Sequence, residues 1–491
     1  MRTFLLTMAL AGALQAQTDP GALAEQGKQA MAEGRFADAA KVYGSLVERI
    51  PDNPGLLLNL GMALHMSGQD ERAIPQFEKA LSMAPDIYPA LLFLGASQLR
   101  QGRPAKAIEP LEKAAKLQPN ELQVRQMLVD AYTQLGRPRE ALPHQLKIAE
   151  LAPAEPMAWV VLLQTYDALA GEAFDALEKA APESAWMVRL IADLRTSQQQ
   201  YPSAFYLYRR ALERNPKMRG LHAGLAEVYR RTGNAEWAAI EEKKEASEEP
   251  LDCSAAKLEC AVAAGKLREV ALAKTATPAE HFWRAKAASQ LAAQAFAKLD
   301  ALPDSARKFE LLAQVLAEQE RFAESAEAWR KALALEPKNA AYAGELAAQL
   351  YFARRYDEAL PRVEALARQQ PNEARWSFFL GDMHLQRQEV EQAVPLLERA
   401  LKQAPDLLTA HHALGRAYMQ LGEAAKAVPE LEAALSIDAD GSLHYQLAQA
   451  YIQTGRREEA KAPLAKYQEL QQAQQAQLQA AQQMEITAPA P

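Results

Sequence analysis

Cysteine and histidine are the residue types here that could do chemistry with few partners, and the chain of 491 residues holds two and eight of them. Cys253 and Cys260 form the only pair. In an exported protein an even count points to a disulfide. On one continuous helix their seven-residue step would separate the Cα atoms by about 10.5 Å, at 1.5 Å per residue, too far to bridge. Closure therefore needs Cys253 in non-helical backbone, which Pro250 and Asp252 favour. The alternative is two buried thiols on one helical face. The histidines form no metal signature, and the adjacent His411 and His412 must point in different directions on a helix. There is no HExxH, no CxxCH, no Gly-rich phosphate loop, and no Ser or Cys nucleophile with an evident base. No catalytic, cofactor-binding or metal residue is assigned, and no cofactor is expected.

The elements that would have to position any site come from one stretch, Gly61 to Pro85. A first helix carries Leu60, Ala63 and Leu64. Ser67-Gly68-Gln69-Asp70 breaks it, with Asp70 placed to cap a second helix. That second helix carries Ala73, Ile74, Phe77, Ala80 and Leu81 as one apolar stripe, with Pro75 in or near its first turn. A pair apolar on more than one side needs copies of itself as neighbours. They recur at a step of 34 residues: Gly27, Gly61 and Gly95, then Ala39, Ala73 and Ala107, then Pro51, Pro85 and Pro119. Gly or Ala lets the helices approach, and Tyr43 or Phe77 fills the space beside it.

A helix–turn–helix of this period resembles the tetratricopeptide repeat (TPR) family. The resemblance covers most of residues 20–470 and implies an all-α superhelical solenoid of antiparallel helix pairs, a fold that binds protein or peptide segments.

The expected organisation is a signal peptide at 1–16, an N-terminal TPR array at 17–250, an irregular helical connector at 251–305, a C-terminal array at 306–467, and a Gln/Ala-rich capping helix with a disordered end at 468–491. Met1-Arg2, the apolar Phe4 to Leu14 and the small Ala11, Ala13 and Ala16 make the export signal, with an uncleaved anchor as the alternative. Its apolar run of 11 residues is short of the roughly 20 needed to span. Trp159 to Ser184 reads as a shortened helix pair, breaking before Ala173-Phe174. Ala295-Phe296-Ala297-Lys298-Leu299 echoes Ala173-Phe174-Asp175-Ala176-Leu177, so the short pair plus full repeat at 156–216 recurs at 278–337. Either this is a built-in variant or the repeats have drifted.

A formal charge of −7 with interspersed signs argues against a general nucleic-acid binder. No small-molecule substrate is implied, and membrane contact would come only through a partner or an uncleaved signal. The resemblance places the binding groove on the first helices. There it implies Leu58, Met62, His65, Leu92, Ala96 and Leu99 in the first array, and Tyr351, Phe378, Asp382, His412, Arg416, Met419 and Tyr445 in the second. The apolar first set suits a hydrophobic segment, or else packs against adjacent repeats. Three functions compete. They are an exported scaffold or adaptor, for instance in envelope or secretion-complex assembly; a chaperone-like holder of exported unfolded chains; and, least favoured, an enzyme with a site near 251–305.

Overall fold

The computed structural model describes residues 19–247, 251–482 and 485–489, with backbone alone for 473–482. The expected signal at 1–16 lies outside the described residues. All regular structure among them is helical, and no strand occurs.

The founding pair is Pro54–Met66 and Asp70–Met83. Asn53 caps the first helix by accepting from the Leu56 N–H at 3.1 Å, with Pro54 in the first position. The helix ends where Gly68 turns left-handed (φ 77°) and the Gln69 N–H reaches back to the Leu64 carbonyl at 2.8 Å. That closure satisfies carbonyls the last turn leaves free. It recurs at Arg35 to Ala30, Arg103 to Gln98 and Arg137 to Tyr132. Where the glycine is missing, Gln199, Glu320, Arg354 and Gln388 adopt the left-handed conformation themselves.

Packing explains the small residues. Ala73, Ile74, Phe77 and Ala80 are buried, and a Cβ on Gly61 would lie 2.5 Å from the Phe77 ring. The same register sets Gly95 against Leu111 (2.4 Å) and Gly381 against Leu397 (2.7 Å). The second helix of one pair therefore seats a large apolar side chain in a notch of the first.

Two local expectations fail. Asp70 is not a cap: Gln69 precedes the helix without a side-chain bond, and the Asp70 carboxylate turns inward to His65 and Arg100. Pro75, Pro143, Pro361, Pro395 and Pro429 lie inside their helices, as the sixth residue, rather than in the first turn. They sit on exposed faces, where the carbonyl that loses its N–H partner meets water.

The chain divides into two compact units, and neither follows the arrays expected at 17–250 and 306–467. Unit 1 comprises Met1–Glu172, Leu267–Ala273 and Ala287–Lys298; unit 2 comprises Ala173–Lys266, Lys274–Lys286 and Leu299–Pro491. The two supposed short pairs are single helices, Pro156–Ala180 of 25 residues and Pro278–Asp300 of 23. The expected break before Ala173 is absent. Ala168-Leu169-Ala170-Gly171-Glu172 offers no left-handed turn, and good helix formers on both sides carry Gly171 through. The recurrence itself is present: each long helix is followed by a serine-capped one, Ser184 accepting from Met187 and Ser305 from Lys308.

In unit 2, Cys253 and Cys260 form a disulfide with Cα atoms 5.6 Å apart; Cys253 lies in a turn before the helix Lys257–Ala263. The helix Lys461–Gln482 packs on Ser442–Gln453. The expected disorder at the end of the chain is corrected at 485–489, where Ile486 packs against a hydrophobic cluster of the 185–238 repeats.

Candidate peptide-binding site

The residues singled out on the first helices share a register. They are the fifth, ninth and twelfth residues of Pro54–Met66, Tyr88–Arg100, Ala374–Gln386 and Leu408–Gln420, and Tyr351 is the twelfth of Ala340–Phe352. Steps of four and three keep them on one stripe of each helix.

In unit 1 that stripe is largely consumed by packing. Leu92 and Ala96 are buried, and Leu58, Met62 and Leu99 are half-buried against the repeat cores. His65 is also buried and belongs to a polar cluster. Its Nδ1 lies 2.8 Å from Asp70 Oδ1 and 2.8 Å from Ser97 Oγ, while Arg100 donates to Asp70 Oδ1 at 2.7 Å and to the His65 carbonyl at 2.5 Å. Arg100 Nη2 also lies 2.7 Å from His65 Nδ1, so the guanidinium, the imidazole, Ser97 and the Asp70 carboxylate form one compact cluster. Burial and the Arg100 charge hold the His65 pKa below its ordinary value, outweighing Asp70. Burial works to raise the Asp70 pKa, but bonds from Arg100 and Ser97 and the Arg100 charge win and lower it. The cluster ties one helix pair to the next and leaves His65 unavailable to a ligand. His144 is tied similarly: Nε2 lies 3.0 Å from Glu112, and its ring stacks on Tyr132 at 5.8 Å.

In unit 2 no singled-out residue of the stripe is fully buried, although Phe378 and Met419 also pack against a repeat core as Leu58 and Met62 do. Tyr351, Phe378, Asp382, His412, Arg416 and Met419 are all half-buried. The Tyr351 hydroxyl donates to Asp382 Oδ2 at 2.8 Å, and its ring stacks on Phe379 at 4.0 Å and meets Phe378 at 6.2 Å. Burial and the Asp382 charge push the Tyr351 pKa far up, so the hydroxyl stays protonated as a donor. Burial, then the Arg416 charge, lowers the His412 pKa, with Asp382 opposing. Three successive first helices thus present an aromatic floor with one acid, one cation and one neutral imidazole. Tyr445 is exposed, its ring 5.0 Å from Tyr467.

One stretch of the register was missed in the sequence. Arg189 and Asp193 are the fifth and ninth residues of Ala185–Ser197. The chain covers them with its own helix Pro278–Asp300. Phe282 lies 4.7 Å from the Arg189 guanidinium, Trp186 meets Phe282 at 5.2 Å, and Lys286 pairs with Asp193 at 2.7 Å. The fifth-and-ninth rule would have found the charged pair; its occupant had no local signal.

Models described as tetratricopeptide repeat match residues 25–86, 67–122 and 345–407, residues 98–159 and 384–445, and residues 441–474. Together these cover 25–159 and 345–474, more than half of the chain. The chain belongs to the tetratricopeptide repeat family. Solved TPR-family structures similar to it include a MamA protein (19% identity, 40% of this chain and 92% of that one, TM-score 0.30). Another is MamA MSR-1 (22% identity, 34% and 98%, TM-score 0.30). A third is a tetratricopeptide repeat protein from Parabacteroides merdae ATCC 43184 (14% identity, 67% and 98%, TM-score 0.27). None of these scores supports a functional reading. No curated protein matches the chain. TPR repeats are protein-interaction modules, and the helix pairs of both units have that character. No group of three or more potential metal ligands occurs among the described residues, and no described helix is long and apolar enough to cross a membrane.

Proposed function

We propose that this TPR protein is a non-catalytic scaffold or adaptor, exported from the cytoplasm, that binds a protein or peptide segment along the first-helix face of unit 2. The observation that carries the reading is the half-buried row Tyr351, Phe378, Asp382, His412, Arg416 and Met419. It combines apolar rings that a segment can cover with charges that fix its register. The partner is a polypeptide rather than a nucleic acid or a small metabolite. The enzyme reading near 251–305 has little support: that stretch supplies a disulfide-closed turn, two short helices and one 23-residue helix.

Crosslinking and mass spectrometry on native envelope fractions test the proposal, with unaltered chain beside a Phe378→Ala/Met419→Ala variant of equal helicity. One dominant partner, its yield reduced at least about tenfold in the variant, is the expected result. Many unrelated clients, equally captured, would instead favour the holder of unfolded chains, a reading consistent with the exposed Phe352 beside Tyr351.

A further inference from the structure

A tyrosine near the end of the first helix has a set partner in several repeats. Tyr132, Tyr418 and Tyr451 each stand four residues before a left-handed glycine, at Gly136, Gly422 and Gly455. Each donates to a glutamate on the preceding helix: Glu112 at 3.0 Å, Glu398 at 2.6 Å, and Glu432. Those glutamates lie 20, 20 and 19 residues earlier in the chain. Tyr229 stands in the same register, four residues before the left-handed Gly233. The residue 20 positions before it is Arg209, whose side chain has no acceptor to offer. Yet Tyr229 is buried, with its ring 5.7 Å from Phe205 and 5.6 Å from Trp237. A buried hydroxyl needs a partner. Tyr229 finds it 258 residues away, donating to the Thr487 carbonyl at 2.7 Å. The neighbouring Ile486 packs half-buried against the same cluster.

We propose that the helix pairs of 201–246 carry a site for an extended peptide with a β-branched apolar residue followed by a free backbone carbonyl, and that the chain's own segment 485–489, Glu-Ile-Thr-Ala-Pro, is its tethered occupant. Two features define the ligand. The apolar side chain goes to the aromatic cluster, and the next carbonyl accepts the hydrogen bond that the Tyr229 hydroxyl donates. The second contact reads backbone, so it selects an extended conformation rather than a side chain. Pro489 biases Ala488 toward that conformation. The segment lies in one unit with the site, and Arg209 is what separates this repeat from those that satisfy their tyrosine internally. The site does not depend on the face lined by Tyr351, Phe378 and Met419. A competing protein would need the same pair of groups and would have to displace the tethered segment, whose effective concentration at close range is on the order of millimolar.

Fluorescence anisotropy tests this with a labelled, amidated Glu-Ile-Thr-Ala-Pro peptide and full-length chains. Ile486→Asp removes the occupant's anchor without touching the repeats. That chain is expected to bind the peptide at least about tenfold more tightly than the unaltered chain, because the tether no longer competes. Tyr229→Phe added to Ile486→Asp is expected to weaken binding at least about threefold, and a peptide with Asp for Ile should not bind. Equal affinity of the unaltered and Ile486→Asp chains, no binding to Ile486→Asp, or no effect of Tyr229→Phe would overturn the proposal. So would an unaltered chain that sediments as a dimer while Ile486→Asp is a monomer, since the occupant would then come from a second copy.

Discussion

His65, His144 and His412 each hold a proton less firmly in the folded chain than in an unfolded one. Burial is the largest cause in all three, with a nearby arginine (Arg100, Arg125 and Arg416) adding to it. The unfolded chain binds more protons in the window where these groups titrate. Stability is therefore complete above the unfolded histidine pKa of about 6.5 and falls as pH drops through it toward the lowered folded values. Thermal melts between pH 7.5 and pH 5 should show a midpoint that declines with acid. In His65→Gln, where the amide cannot titrate, the decline should be shallower; an unchanged slope would show that the Asp70 pairing offsets both burial and Arg100. The same residue shows how a side chain legible in the sequence can be assigned the wrong job. His65 does lie on the register of the groove, but Asp70 and Ser97 recruit it into the joint between repeats. The spacing gives the face and not the competition for the side chain.

At the scale of the helix pair, Gly61 is the most exacting position. A methyl group there would meet the Phe77 ring at 2.5 Å, so ring or backbone must move. Gly61→Ala should lower stability by about 1–3 kcal/mol despite the better helix propensity of alanine. The urea midpoint would register this, and a gain would mean that the ring relaxes freely. The pairs were legible because one constraint, a large residue entering a small one's notch, repeats every 34 residues from Gly27 through Gly95. The long helices Pro156–Ala180 and Pro278–Asp300 were not. Their apolar residues keep helical spacing right through the expected break, and only the lack of a left-handed turn distinguishes one long helix from two short ones. The placement of Ile486 was invisible for another reason: its contact is long-range, and a polar, proline-bearing end reads as disordered when no partner is in view.

For the whole chain, stability should come as a sum over neighbouring pairs rather than as one cooperative block. The tryptophans report on this unevenly. All six lie between Trp159 and Trp376, whereas helix pairs extend from Pro20 to Gln453. Urea unfolding followed by tryptophan fluorescence and by far-UV circular dichroism should therefore give transitions that do not superimpose. Superimposable curves would indicate that every pair melts together. Such an experiment also bears on the binding face of unit 2, since Trp376 is fully buried beside Phe379, next to the residues proposed to hold a partner.

The Cys253–Cys260 bond joins an exposed cysteine in a turn to a half-buried one on the helix Lys257–Ala263, no residue of which is fully buried. A reductant can reach the bond at the exposed Cys253, so its state should track the surroundings. If the chain is exported as proposed, cells quenched in acid and alkylated at once would yield a history of where each molecule had resided: blocked thiols on chains still in transit, and none on those that had arrived.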